Sequence, residues 1–183
     1  MTEALCVIDV QNEYFTGRVP VTYPEGSFEN ILRAMDAASE NEVPVIIVRH
    51  VNPPDAPAFA RGTPGAELHD EIRRRHRDLL IEKQLPGSFT GTGLEAWLRR
   101  HGIDTLTICG YMTQMCCDTT ARQAFHLGFS VNFLSDATGT LSVTNPAGSV
   151  SAEDLHRAIL VTQAMRFSRV IPTDPWLKEI RSA

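Results

Sequence analysis

The sequence has no long apolar run, no surplus of basic residues, no C-x-x-C pair and no cluster of histidines, and each absence removes a class of protein. A membrane-crossing helix needs about 20 apolar residues in a row, and the apolar runs here, such as VPVIIV, fall far short of that. No basic stretch followed by a cleavage site opens the chain, so a cytoplasmic location is expected. With 22 acidic against 17 basic residues the net charge is −5, which offers nucleic acid or an anionic membrane no attraction. The densest basic run, Arg73-Arg74-Arg75-His76-Arg77, directly follows Asp70 and Glu71 and reads as the solvated end of a helix. Four cysteines in 183 residues do not make a disulfide framework. Cys6 and Cys109 lie inside apolar runs and read as core, while adjacent Cys116 and Cys117 cannot make a tetrahedral zinc site by themselves. His50, His69 and His76 are scattered, so no metal and no cofactor is expected.

What the chain does have is a regular alternation. Apolar strands are expected at Ala4–Val10, Val43–Val48, Leu79–Lys83, from Leu106 to Cys109, at Ser130–Leu134 and at Arg169–Ile171. Between them, helices are expected over Phe28–Ser39, Ala66–Arg75, Leu94–His101, from Asp118 onward, and after Ser151, whose spacing to Asp154 fits a cap. Pro172 and Pro175 are expected to end regular structure before a tail carrying Trp176. Strands alternating with helices predict βαβ units, hence a three-layer α/β/α doubly wound domain with a six-stranded parallel sheet, spanning 1–183 as one unit. His50–Gly65 and Thr138–Ser149 are expected to be irregular.

Ligands of such sheets bind at the carboxyl ends of the strands. Asp9, Lys83 and Cys116 occupy such ends in three different units. Alone, each has a plain explanation: a turn cap, a solvated end residue, a buried thiol. Together they supply a proton carrier, a fixed positive charge and a nucleophile. Cys116 is also placed near the first turn of a helix, where backbone N–H groups and the helix dipole favour a thiolate. A competing motif, Gly91-Thr92-Gly93-Leu94-Glu95-Ala96, fits a dinucleotide fingerprint in letters but lies well beyond the preceding strand end instead of in the tight turn after it.

With these residues goes a resemblance. Ile8-Asp9-Val10-Gln11-Asn12, Gly62-Thr63-Pro64-Gly65-Ala66, Lys83 with Ser88-Phe89-Thr90-Gly91-Thr92, Gly110 to Ala121, and Ser135-Asp136-Ala137 occur in order, and the chain resembles the isochorismatase-like cysteine hydrolases. The resemblance implies an Asp–Lys–Cys triad on Asp9, Lys83 and Cys116, a non-proline cis peptide at Tyr111–Met112, and an oxyanion hole made by the amides of Met112 and Cys116. Cys117 follows the nucleophile and reads as packing. The Asp-x-His…His metal motif of the family's nicotinamidases is not supplied by RHVNPPDAPAFARG, and members that hydrolyse a vinyl ether commonly lack the cysteine kept here. The expectation is hydrolysis of a C–N bond in a small neutral amide, carbamoyl or imide substrate, through a thioester, by a homo-oligomer. Alternatives are a vinyl-ether hydrolase using Asp9 as the acid, or a non-catalytic binding protein on the same fold. Substrate contacts are expected from Gln11, Phe15, Gln84, Phe89, Tyr111 and Met115.

Overall fold

The computed structural model describes residues 2–181. A parallel sheet forms its middle layer, built from β1 (Glu3–Ile8), β2 (Val45–His50), β3 (Leu79–Lys83), β4 (Thr105–Tyr111), β5 (Ser130–Gly139) and a late strand introduced below. Between these run α1 (Ser27–Glu40), α2 (Asp70–Arg74), α3 (Leu94–Arg100) and α4 (Asp118–His126). After β5 come a hairpin of β6 (Val143–Asn145) and β7 (Gly148–Val150), then α5 (Ala152–Thr162), β8 (Arg169–Ile171) and α6 (Thr173–Ile180). Strand order in the sheet is β3-β2-β1-β4-β5-β8, with every pairing parallel. The winding direction reverses between β1 and β4, and an open α/β sheet leaves its ligand crevice at such a reversal.

Because helices cover both faces, side chains of both parities along a strand are buried, which is why the strands read as unbroken apolar runs. Leu5 and Val7 of β1 pack with Ile31, Met35, Trp176 and Ile180 on the α1/α6 side. Ala4, Cys6 and Ile8 pack with Leu94, Leu98, Ala121 and Ala124 on the α3/α4 side. At the starting ends of the strands, Glu3 Oε1 accepts hydrogen bonds from Trp176 Nε1 at 2.8 Å, Asn132 Nδ2 at 3.1 Å and the Thr107 hydroxyl. One carboxylate thus ties β1 to β4, β5 and α6.

Several expected boundaries shift for identifiable reasons. The first strand stops at Ile8 because Asp9 takes a left-handed φ of 51°. The helix expected over Ala66–Arg75 shrinks to Asp70–Arg74, capped by His69, whose Nδ1 accepts from Glu71 N. Its front end is a 3-10 turn at Pro64–Ala66, followed by extended chain in which Leu68 bridges to Gln11. The Thr138–Ser149 stretch is less irregular than expected: it carries the end of β5 and the small β6–β7 hairpin. The segment after Pro172 is a helix, correcting the expected tail. Pro175 falls in the first turn of α6, where a missing N–H costs nothing. Asp136 Oδ1 accepts from both the N–H and the hydroxyl of Thr173, at 2.7 and 2.6 Å, and starts that helix.

Candidate active site

The carboxyl ends of β1, β3 and β4 bring Asp9, Lys83 and Cys116 together. A long side chain is needed for this, because β3 and β1 are separated by β2, a gap of about 10 Å at ordinary strand spacing. Lys83 crosses it and places Nζ 2.7 Å from Asp9 Oδ2 and 3.2 Å from Cys116 Sγ. Both partners of the ion pair have fully buried side chains. On the cysteine side, β4 carries a register shift at Gly110, whose φ of +114° and close approach to Ile8 leave no room for a side chain. A cis peptide joins Tyr111 to Met112, and Thr113–Cys117 then form one π-helical turn that runs directly into α4.

The motifs surrounding these residues turn out to be braces. Gln11 spends its amide on backbone: Nε2 donates to the carbonyls of His50 and Ala66, and Oε1 accepts from His50 N. Asn12 Nδ2 donates to Pro64 O. Ser88 binds Thr120 of α4 through both its N–H and its hydroxyl, tying the loop after Lys83 to the helix after Cys116. Thr113 Oγ1 lies 2.8 Å from His156 Nδ1, and His156 Nε2 donates to Ser135 O. His156 therefore links α5 to the turn that carries Cys116.

The electrostatic influences on the sulfur oppose one another. Burial pushes the Cys116 thiol well above its ordinary value and the Asp9 carboxylate adds to that, while Lys83 opposes both. Burial works against the Lys83 ammonium, yet Asp9 and Cys116 beside it win and hold it above the ordinary lysine value. The cluster is therefore a buried Asp9–Lys83 ion pair beside a thiol whose ionisation burial opposes. Asp9 Oδ1 is buried and has no hydrogen-bond partner, so one acceptor position of the carboxylate is unused. Cys6, Cys109 and Cys117 are buried and free, with their thiols pushed up by burial, and serve as packing.

A residue that its sequence surroundings do not single out also enters the cluster. His50, at the end of β2, is the register partner of Lys83 and places Nδ1 3.2 Å from Lys83 Nζ. Asp9, His50 and Cys116 each offer a metal-ligand atom, all within 4.8 Å of one another. The ammonium of Lys83 is hydrogen-bonded to all three groups, so a metal ion there would have to displace it.

Of the residues expected to touch substrate, Phe15 and Tyr111 line a cavity of about 340 Å³ together with Tyr14, Ser27 and Phe28. Tyr111 is almost wholly buried, its hydroxyl 3.2 Å from Ser27 Oγ. Gln84 is exposed, and Met115 is an exposed apolar side chain one residue before Cys116. Phe89 stacks on Phe129 on the α3/α4 side, with ring centroids 6.0 Å apart. Gln11 is fully buried and committed to the backbone groups named above. A larger cavity, about 590 Å³, opens at the opposite rim among Glu3, Thr105, Ser130 and Arg169, where strands begin. It contains none of the polar cluster.

Fold and strand ends thus define a doubly wound α/β protein with an acid, a base and a thiol gathered at the switch point. The Isochorismatase domain matches residues 3–174, and the chain belongs to that family of hydrolases. It is similar to the crystal structure of an isochorismatase-type protein from Burkholderia xenovorans LB400, with a TM-score of 0.97 and 49% identity over 99% of this chain and 88% of that one. An uncharacterized isochorismatase family protein of Bacillus subtilis, YddQ, is 33% identical over 97% of this chain and 100% of its own length. Nicotinamidase 3 of Arabidopsis thaliana is 32% identical over 93% of this chain and 85% of its own. Among the described residues no helix is long and apolar enough to cross a membrane.

Proposed function

We propose that this isochorismatase-family enzyme hydrolyses the C–N bond of a small neutral amide, carbamoyl or imide substrate through a thioester on Cys116. The observation that carries the reading is the position of the Lys83 ammonium, donating at once to Asp9 and to Cys116 inside a buried cluster, with the second oxygen of Asp9 left without a partner. Similarity to a relative named as a nicotinamidase supports an amide as the target class. The lack of that subgroup's expected metal motif argues against nicotinamide itself.

The chemistry follows from charge conservation. Expelling a proton from Cys116 to solvent would leave a net negative charge in the buried cluster, whereas passing it to Asp9 keeps the net charge at zero. The thiolate so formed attacks the substrate carbon, and the new C–O⁻ is received by the amides of Met112 and Cys116. As the C–N bond breaks, Asp9 returns the proton to the departing nitrogen, giving ammonia or an amine. A water that then yields its proton to Asp9 attacks the thioester, and the proton passes to the sulfur as the acid leaves. Lys83 stays protonated throughout and stabilises whichever of Asp9 and Cys116 is anionic.

A panel of small primary amides, N-carbamoyl compounds and cyclic imides, all uncharged, read by ammonia or acid release, tests this. The expected result is turnover of at least one member that Cys116→Ala abolishes. Amide turnover that survives Cys116→Ala would overturn the thioester, and hydrolysis of a vinyl ether by that variant would identify the alternative chemistry that needs only Asp9.

A further inference from the structure

The ammonium of Lys83 has three N–H donors and finds three acceptors. Two belong to Asp9 and Cys116. The third is His50 Nδ1, and a chain of neighbours determines that this nitrogen accepts. Asn52 Nδ2 donates to Ala58 O at 3.0 Å, which turns Asn52 Oδ1 toward His50. That oxygen lies 2.8 Å from His50 Nε2 and can only accept, so Nε2 carries the proton. In the neutral ring Nδ1 is then a bare lone pair, aimed at Lys83 Nζ. Ring placement is equally constrained: Gln11 grips the His50 backbone on both its N–H and its carbonyl, and the Phe59 ring meets the imidazole edge-on at 5.6 Å.

We infer that His50 is a positioning residue that holds the Lys83 ammonium so that one N–H stays directed at the sulfur of Cys116. The inference rests on the reading of Asp9, Lys83 and Cys116 given above. With only two acceptors an ammonium can swing about the Cε–Nζ bond, and the N–H toward sulfur, the softest acceptor, is the one it gives up. With three acceptors that rotation is closed. The charged and titratable groups facing the imidazole are Lys83 from β3, Asp9 from the end of β1 and Cys116 from the turn after β4. Burial and the Lys83 charge both keep the ring neutral, with Asp9 and the Asn52 contact opposing them, which is the state the contact requires.

The test uses the whole chain. The rate of Cys116 alkylation by iodoacetamide is measured by peptide mass spectrometry for wild type, Lys83→Ala, His50→Phe, His50→Asn and Asn52→Leu, with circular dichroism to establish folding. His50→Phe is expected to slow Cys116 labelling roughly 10- to 100-fold, the cost of misplacing a reacting group by about an ångström. His50→Asn, whose Oδ1 stands near the Nδ1 position, is expected to restore the rate to within about threefold of wild type. Where His50→Phe fails to fold, ¹⁵N–¹H correlation of the wild-type imidazole decides: a ring protonated on Nε2 alone at neutral pH supports the assignment. An Nδ1-protonated ring, or His50→Phe labelling at the wild-type rate while Lys83→Ala is slow, overturns it and leaves the Asp9–Lys83–Cys116 reading standing. Wild-type labelling rates in Lys83→Ala would instead overturn both.

Discussion

A side chain on Gly110 would place its first carbon 2.1 Å from the carbonyl oxygen of Ile8. The strand that leads to Cys116 and the strand that leads to Asp9 are therefore held at contact distance, just before each delivers its functional residue. Gly110→Ala meets both that collision and a φ of +114°. It is expected to cost about 2–4 kcal/mol in urea denaturation. Any folded fraction is expected to show a displaced Cys116 and lost turnover.

The Asp9–Lys83 pair separates stability from function. Lys83→Met leaves a buried carboxylate without its partner and should destabilise by about 3–5 kcal/mol. The double variant Asp9→Leu/Lys83→Met removes both charges, and its stability is expected to return to near wild type or above, with turnover absent. Equilibrium denaturation of the single and double variants measures this directly.

Two histidines, half-buried His50 and buried His156, make the fold sensitive to acid. His50 and His156 are both held below the ordinary imidazole value, in each case chiefly by burial. An unfolded chain takes up these protons near pH 6.5, before the folded chain does. Their contribution is thus complete above about pH 6.5 and is lost as the pH falls toward the lowered folded values. The melting temperature should drop between about pH 7 and about pH 5, and His156→Gln should flatten that slope.

Asp136 offers a simpler check on the brace at the end of β5. Asp136→Ala leaves the first amide and hydroxyl of α6 unpaired and should cost about 1–2 kcal/mol in thermal or urea unfolding, with the reactivity of Cys116 unchanged.

The central strands were legible because both faces of a parallel sheet are buried, so Leu5 to Ile8 and Val45 to Val48 read as apolar without interruption. α6 was not, since Pro172 and Pro175 read as breakers until Asp136 and Thr173 show where the helix begins. The β6–β7 hairpin was hidden by its polar, exposed composition, which carries no burial pattern. At the site, Asp9, Lys83 and Cys116 are legible from their places at strand ends, whereas His50 has no neighbouring histidine to mark it. Its partner is Lys83, 33 residues away, and the β2–β3 register that pairs them is not written in either segment. Gln11 reads as a substrate contact from its place beside Asp9, while its buried amide in fact clamps backbone. At Cys116 the Lys83 ammonium favours the thiolate while burial and Asp9 oppose it, and the depth of that burial is legible only in the folded chain.

The rate of Cys116 alkylation as a function of pH, in wild type and in Asp9→Asn, tests the proposed proton exchange between sulfur and carboxylate most directly. If the proton moves within the cluster, the thiolate fraction in wild type does not depend on bulk pH, and the labelling rate should be flat between about pH 6 and about pH 8. Asp9→Asn removes a group that raises the thiol, so its Cys116 should label at least as fast near neutral pH, on a sigmoidal profile, while turnover falls by about 10²–10⁴. A wild-type rate that climbs tenfold per pH unit across that window, with Asp9→Asn running parallel to it, would contradict the account.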